Sequence, residues 1–297
     1  MASISMPQSQ KSSWQSEYPF ASNYLQLGRG RLHYVAEGDG DPVLMVHGNP
    51  TWSFYYRNLV SALSRTHRAI ALDHIGCGLS DKPSAYPYTL DQHVDNLSTL
   101  ISSLDLKNAT LIAHDWGGAI GLGALLKHRS RFKRIVLFNT GAFPPPYIPW
   151  RIRACRIPLL GQLGVQGLNM FARAAVRMAT TRPGGLEANT AAGLLAPYDN
   201  WSNRKAIYHF VKDIPTRSSH PSWKTLSHIE SQLPELTEMK KLLVWGMQDW
   251  CFRPDCLERF IQHWPDARVQ AIESAGHYVV EDAAEQVCQE VQQFLGR

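Results

Sequence analysis

Five residues of this chain are of types, and fall at places, that could do chemistry together: Asn49, Asp115, Trp116, Asp249 and His277. Asp115 follows a short apolar run, Ala109 to Ala113, and precedes Gly117, Gly118 and the small apolar residues Ala119 to Leu126. A strand, a sharp turn and a helix, with small residues crowding the turn, is the layout of a nucleophile elbow. A tight turn tolerates little bulk beside the nucleophile, which suits Ala113, Gly117 and Gly118. Asp in place of Ser changes the chemistry from acyl transfer to alkyl transfer. A carboxylate attacks an sp³ carbon and becomes an ester. Taken alone, the stretch also fits an Asp capping a helix after a strand.

An ester on Asp115 has to be released, which calls for a base that activates water. His is suited to that near neutral pH. His277 lies in Ser274-Ala275-Gly276-His277-Tyr278, a turn directly after a predicted strand. The base in turn needs a carboxylate to hold its tautomer and stabilise the imidazolium. Asp249 follows Val244-Trp245-Gly246-Met247-Gln248, with Asp255 nearby as the other choice. The other usual slot for the acid reads Asn139-Thr140-Gly141 and holds no acid, which favours Asp249. The order nucleophile, acid, histidine is that of α/β-hydrolases. The backbone N–H groups of Asn49 and Trp116 are candidates for an oxyanion hole around the ester. Their side chains carry an amide and an indole N–H, donors without charge. Such donors suit a leaving halide, which needs stabilising but no proton. For Trp116, plain core packing is the other reading.

Strand ends must hold these residues. Asn23–Glu37 reads as two antiparallel strands joined near Gly28-Arg29-Gly30. Residues 42–46, 69–72, 109–113, 134–138, 241–245 and 268–272 read as strands, the first of them apolar throughout and so buried on both faces. Helices are predicted over about 53–63, 90–104, 119–126, 256–263 and 283–295. Alternation of this kind implies a mostly parallel sheet with helices on both faces. In such sheets the active groups lie at the carboxyl ends of the strands. After Gly141 the texture changes: Pro144-Pro145-Pro146, Pro149 and Pro158 break the alternation, and a helical, Ala- and Arg-rich stretch follows. The expected organisation is a flexible tail over 1–17, a core over 18–143 and 223–297, and a helical cap over 144–222.

The 297 residues suffice for one large α/β domain with an insertion, and 44% hydrophobic residues with 19% charged ones is an ordinary globular composition. A net charge of +5 with no long Lys/Arg run gives no nucleic-acid arm. The five cysteines are scattered and form no C-x-x-C pair, so a reducing compartment is expected. The first residues are polar, without a signal-peptide core, and no apolar run spans a bilayer, so the expectation is a cytoplasmic protein.

The stretches His47-Gly48-Asn49-Pro50-Thr51-Trp52-Ser53, Asp73 through Pro83, and His114-Asp115-Trp116-Gly117-Gly118 resemble the haloalkane dehalogenases. The resemblance covers roughly residues 20–142 and 223–297. It implies an α/β-hydrolase fold with Asp115 as nucleophile, His277 as base, Asp249 as acid, and Asn49 with Trp116 holding the halide. That set is most similar to the third dehalogenase subfamily. Its implied reaction is hydrolysis of a small apolar haloalkane to alcohol and halide, with no metal or organic cofactor. The same residues are used by the β-lactone decarboxylases of olefin biosynthesis, which this group also resembles. That activity is the alternative. Epoxide hydrolases share the Asp–His–Asp triad but need two cap tyrosines, for which Tyr147, Tyr198 and Tyr208 are candidates. Fluoroacetate dehalogenases need Arg pairs near the nucleophile, and none lies close to Asp115 in the sequence. A non-catalytic binding protein on the same fold is the remaining class, because fold does not fix function. The pocket is expected to be apolar, with Phe143, Pro144 and Leu194 in its wall and the apolar stretches 157–168 and 186–195 available for a long cleft.

Overall fold

The computed structural model describes residues 13–296. Eight strands form one sheet: β1 Asn23–Leu27, β2 Gly30–Glu37, β3 Pro42–Val46, β4 Arg68–Leu72, β5 Ala109–Asp115, β6 Phe132–Thr140, β7 Lys240–Gly246 and β8 Arg268–Ile272. Their spatial order is β1-β2-β4-β3-β5-β6-β7-β8. β1 and β2 pair antiparallel, β2 meets β4 antiparallel, and every pairing from β4 to β8 is parallel. This is the mostly parallel sheet expected from the alternation of strands and helices, and the α/β-hydrolase architecture that the resemblance implied.

Side chains alternate across the sheet, so each central strand feeds two cores. Leu44, Leu111, Leu137 and Leu243 face one layer, where helices Leu90–Ser103, Trp116–Lys127, Pro221–Gln232 and Pro254–His263 cover them. Met45, Ile112, Val136 and Val244 face the other, under helices Arg57–Leu63 and Ala284–Leu295. All eight of these strand residues are fully buried. Burying a side chain of this size contributes about 1.5–3 kcal/mol, so the central strands are the most firmly held part of the molecule.

Two expected boundaries move. Of the predicted tail, residues 1–12 lie outside the described residues, but Ser13–Glu17 form a 3₁₀ turn docked on the core. Trp14 sets its ring edge-on to Trp52 and Phe54, at 5.8 and 6.0 Å, and Glu17 pairs with Arg57 at 3.0 Å. A large aromatic ring with an apolar seat does not stay loose. The connection from β6 to β7 holds no strand and is built of short helices joined by irregular segments, including Trp150–Ala154, Met170–Met178, Ala188–Leu195 and Lys205–Asp213. The helix Pro221–Gln232 ends this run but packs on Trp116–Lys127 and Leu90–Ser103, so the 222/223 boundary falls inside the first turn of a core helix.

Candidate active site

The elbow is built by exclusion. Asp115 takes φ 52° and ψ −128°, a backbone conformation that L-residues rarely adopt. A register shift between His114 and Asp115 pairs Asp115 with Thr140 and skips Asn139 on the neighbouring strand. Close approach then demands glycine on three sides. A Cβ on Gly48 would overlap the Asp115 carboxylate, one on Gly117 the Val46 carbonyl, and one on Gly118 the Thr140 side chain. The Thr140 hydroxyl donates to the Asp115 carbonyl and fixes the turn from the neighbouring strand.

The loop after β3 is locked from behind. His74 donates its backbone N–H to His47 Nε2 at 3.0 Å and shares its own Nε2 with the His47 carbonyl at 2.9 Å. Held so, the Asn49 backbone N–H donates to Asp115 Oδ1 at 2.6 Å, and the Trp116 backbone N–H donates to the same carboxylate. These are the two backbone donors expected of an oxyanion hole, and both reach the Asp115 carboxylate. Asn49 and Trp116 both line the cavity above Asp115. The Asn49 amide donates one N–H to the Ile207 carbonyl at 3.2 Å, while its Oδ1 is buried with no protein partner. Trp116 is half-buried, with its ring 5.5 Å from that of Phe210.

His277 reaches the nucleophile from the loop after β8, its Nε2 3.7 Å from Asp115 Oδ2. Its Nδ1 meets Asp249 Oδ2 at 2.8 Å, which leaves Nε2 for the cavity. Asp249, placed after β7, is thus the carboxylate that meets the His277 ring. Asp255 instead sits in the first turn of helix Pro254–His263, paired with Arg253 at 2.8 Å. Asn139 has a part that sequence reading missed. Its Nδ2 donates to Asp249 Oδ2 at 3.0 Å while its Oδ1 receives the Gly246 N–H at 2.8 Å. The Cys251 N–H donates to Asp249 Oδ1 at 2.6 Å, so both carboxylate oxygens are engaged. A polar amide after the apolar run Ile135–Phe138, near the end of the strand, was the available signal for Asn139.

Burial pushes the Asp115 carboxyl up, against the pull of His277 and the two backbone N–H groups, and the balance lies above the usual carboxylate range. Burial pushes His277 down, but the charge and hydrogen bond of Asp249, with Asp115 beyond, outweigh it and hold the imidazole above its ordinary value. The arrangement is a buried carboxylate with a carboxylate–histidine pair beside it.

Above these residues lies an apolar cavity of about 530 Å³. Phe143, Tyr147, Trp150, Phe171, Trp250 and Phe252 are among the residues of its wall. Phe143 was expected there. Pro144 and Leu194 are not in the wall: Pro144 is buried beneath it, and Leu194 packs into the core with Trp52 and Phe54. The stretches 157–168 and 186–195 contribute nothing to the wall either. Of the three cap tyrosines, only Tyr147 lines the cavity, and its hydroxyl donates to the carbonyls of Trp250 and Cys251. Tyr198 is buried elsewhere, donating to the Thr51 carbonyl. The two phenols an epoxide would need are therefore not assembled. Arg151 is the sole guanidinium in the wall, stacked over Trp150 and Trp250. Among the described residues, no three His, Cys, Asp or Glu side chains converge where a metal could sit.

A family model of the alpha/beta hydrolase fold matches residues 41–154 and 156–284. A Haloalkane dehalogenase 2 of Mycobacterium bovis is 30% identical, over 94% of this chain and 96% of its own length. The chain belongs to the haloalkane dehalogenase family of the α/β-hydrolase superfamily. Within reach of the same family, a cis-3-alkyl-4-alkyloxetan-2-one decarboxylase of Shewanella oneidensis is 42% identical, over 93% of this chain and 89% of its own. One of the same name from Xanthomonas campestris is 38% identical, over 94% and 97%. Among solved structures, the haloalkane dehalogenase DatA of Agrobacterium tumefaciens C58 superposes with a TM-score of 0.84 at 24% identity, covering 93% of this chain and 96% of its own, which bears on the fold alone.

Proposed function

We propose that this protein decarboxylates cis-3-alkyl-4-alkyloxetan-2-ones, disubstituted β-lactones, to an olefin and carbon dioxide. The observation that carries the reading is the greater similarity of the relatives named for that reaction than of those named as dehalogenases. It reverses the order in which the sequence resemblance had placed the two. The apolar cavity, with a carboxylate at its floor and uncharged donors beside it, suits a dialkyl lactone.

An oxygen of Asp115 attacks the oxygen-bearing ring carbon from the face opposite the ring oxygen. That carbon–oxygen bond breaks, its electron pair stays with the oxygen, and a free carboxylate remains on the neighbouring carbon. This leaving anion takes the place sequence reading gave to a halide, next to the Asn49 amide and the Trp116 indole. The bond to the carboxylate then breaks and its pair forms the double bond. The ester bond to Asp115 breaks in the same step, its pair returns to the carboxylate, and carbon dioxide departs. No water is consumed. Back-side attack sets the new bond anti to the bond that breaks next, without rotation between the two carbons, so a cis ring gives a cis olefin.

Haloalkane hydrolysis is the second reading, favoured by one observation: His277 stands 3.7 Å from Asp115 with Asp249 behind it. Elimination has no need of a water-activating base, whereas hydrolysis of an alkyl ester does. In that reaction His277 activates water against the ester carbonyl, giving alcohol, halide and a proton. The deciding measurement is kcat/KM for a cis-dialkyl β-lactone, 1-iodohexane and 1-chlorohexane side by side. The lactone is expected to exceed the iodide by ~10³, about 4 kcal/mol in transition-state binding, and the iodide to exceed the chloride. Halide release at an equal or greater kcat/KM would give first place to dehalogenation.

A further inference from the structure

The surface around the cavity mouth has a composition of its own. No Asp or Glu occurs between Asp115 and Glu187, while Arg151, Arg153, Arg156, Arg173, Arg177 and Arg182 all fall in the second half of that span. Of the twelve large apolar side chains exposed among the described residues, eight lie between residues 150 and 178, so they form a local feature and not the usual scatter. Leu159 is 75% exposed, Trp150 72%, Leu160 69% and Leu168 66%. Arg151, Arg153, Arg173 and Arg177 are exposed among them. Carboxylates on adjoining elements are engaged elsewhere: Glu187 pairs with Arg182, Asp199 accepts from Asn200 and Asn203, and Asp213 accepts from the Leu90 N–H. Trp150, Met170 and Met178 are both exposed and part of the cavity wall, so the mouth opens within the patch.

We propose that this face of the cap rests on an anionic lipid surface. Leu159, Leu160 and Leu163 enter the acyl boundary, the arginines meet the headgroup charge, and the cavity mouth faces the lipid. Apolar side chains interleaved with arginine and free of acid suit the interface of a bilayer, where both kinds of side chain are satisfied at once. Trp150 beside Arg151 is the pairing that headgroup depth favours. Among the described residues no helix is long and apolar enough to cross a membrane, so the contact is one of lying on the surface. A lactone with two alkyl arms, and the olefin made from it, dissolve in the bilayer, so a mouth held there takes substrate and releases product without crossing water. That delivery step rests on the reaction proposed above. Surface binding does not.

The test uses the full chain and sedimentation with vesicles of phosphatidylcholine alone or mixed with phosphatidylglycerol. Binding to the anionic vesicles, weakened by salt, is expected. Arg173→Gln with Arg177→Gln should weaken it about 30-fold, the combined effect of two surface charges. Leu159→Ser with Leu160→Ser and Leu163→Ser should weaken it at least about tenfold. Neither set touches the cavity wall, so kcat/KM for a short, water-soluble lactone should stay unchanged while turnover of a long-chain lactone carried in vesicles falls. Absence of binding by the unaltered protein would overturn the proposal, as would equal binding by the leucine variant. A self-associated form in sedimentation velocity, dissolved by the leucine variant and without vesicle binding, would make a second copy the occupant and overturn it too. Vesicle binding without lactone turnover would uphold the surface and remove the reaction.

Discussion

At the floor of the cavity both oxygens of the Asp249 carboxylate are taken, by His277 and Asn139 on one side and the Cys251 N–H on the other. In the cap, a few helices away, Leu159 stands 75% in solvent. The floor is assembled from strand ends, and its polar groups are over-determined. A displaced side chain there leaves a buried charge without a partner, which is costly. The cap is made of short helices between prolines, carries its apolar side chains on both faces, and leaves much of its surface unfilled. One region is specified by chemistry and the other by what it must admit. Substitutions in the two should therefore fail differently.

The sharpest break is at His277. With 1-bromohexane, His277→Phe should still form the ester but not release it, so intact mass should rise by one hexyl group on Asp115, with turnover lost. With a cis-dialkyl β-lactone the same variant should still release olefin, because elimination regenerates Asp115 without water. Unmodified protein that still consumes the bromide would end the account of Asp115 as nucleophile.

Next in size is the acid. Asp249→Asn should cut haloalkane turnover by ~10⁴, the loss seen when a triad histidine is left in the wrong tautomer. Asp255→Asn should change it little, because Asp255 is spent on Arg253 at a helix start. The reverse outcome would move the acid and undo the reading of Asn139 as its support.

Sequence reached this floor because the constraints there are local. Gly117 and Gly118 are small for reasons that any tight elbow shares, and Asp249 and His277 each follow a recognisable buried strand. Asn139 was legible only as a missing acid. Its service to Asp249 joins two strand ends 110 residues apart, which no local pattern records. The cap was read backwards for a related reason. An apolar run shows that side chains avoid water, but not on which side of a short helix the cavity lies. Leu194 therefore proved to be core and Ile157, Leu159, Leu160, Leu163 and Leu168 surface, while Trp250 and Phe252 entered the wall from the core side. The end of the expected tail, Ser13–Glu17, departs from its polar average, because Trp14 alone outweighs several serines once Trp52 and Phe54 offer it a seat.

The joint between the two regions is the next target. Arg57 is buried and gives Nη1 to Glu281 at 2.5 Å, Nη2 to Thr190 of the cap at 3.2 Å and Nε to Glu17 at 3.0 Å. Arg57→Met should cost about 3–5 kcal/mol in urea unfolding, because Glu281 is left buried and unpaired. Adding Glu281→Gln should recover much of the loss. A cost near zero would mean that cap and core are not coupled through this group.

A smaller effect, tenfold per pH unit at most, separates the two reactions. Hydrolysis needs a neutral His277, whose pKa is held above its ordinary value by Asp249 and Asp115 against burial. Haloalkane turnover should therefore rise with pH through neutrality and level off only beyond the usual histidine range. Olefin formation should be flat there. It should fall only in acid, as Asp115 protonates at a pH above the usual carboxylate range because it is buried. Parallel rises for both substrates would place His277 in the lactone reaction as well.

The smallest effect is the one that most directly sets cap against floor. Leu111 and Leu159 are the same residue type in opposite settings, the first fully buried on β5 four residues before the nucleophile, the second 75% exposed. Leu111→Ala removes packed methyl groups and leaves a cavity, so it should cost about 2–5 kcal/mol. Leu159→Ser removes apolar area that is mostly in water already and should shift stability by less than about 0.5 kcal/mol. If Leu159 instead mattered to the fold, its substitution would lower the urea midpoint visibly, and its exposure would be a matter of packing within this chain. A midpoint left in place, with vesicle affinity reduced, would separate the two kinds of leucine: one that holds the nucleophile's strand, and one kept on the surface for contact with something outside the molecule.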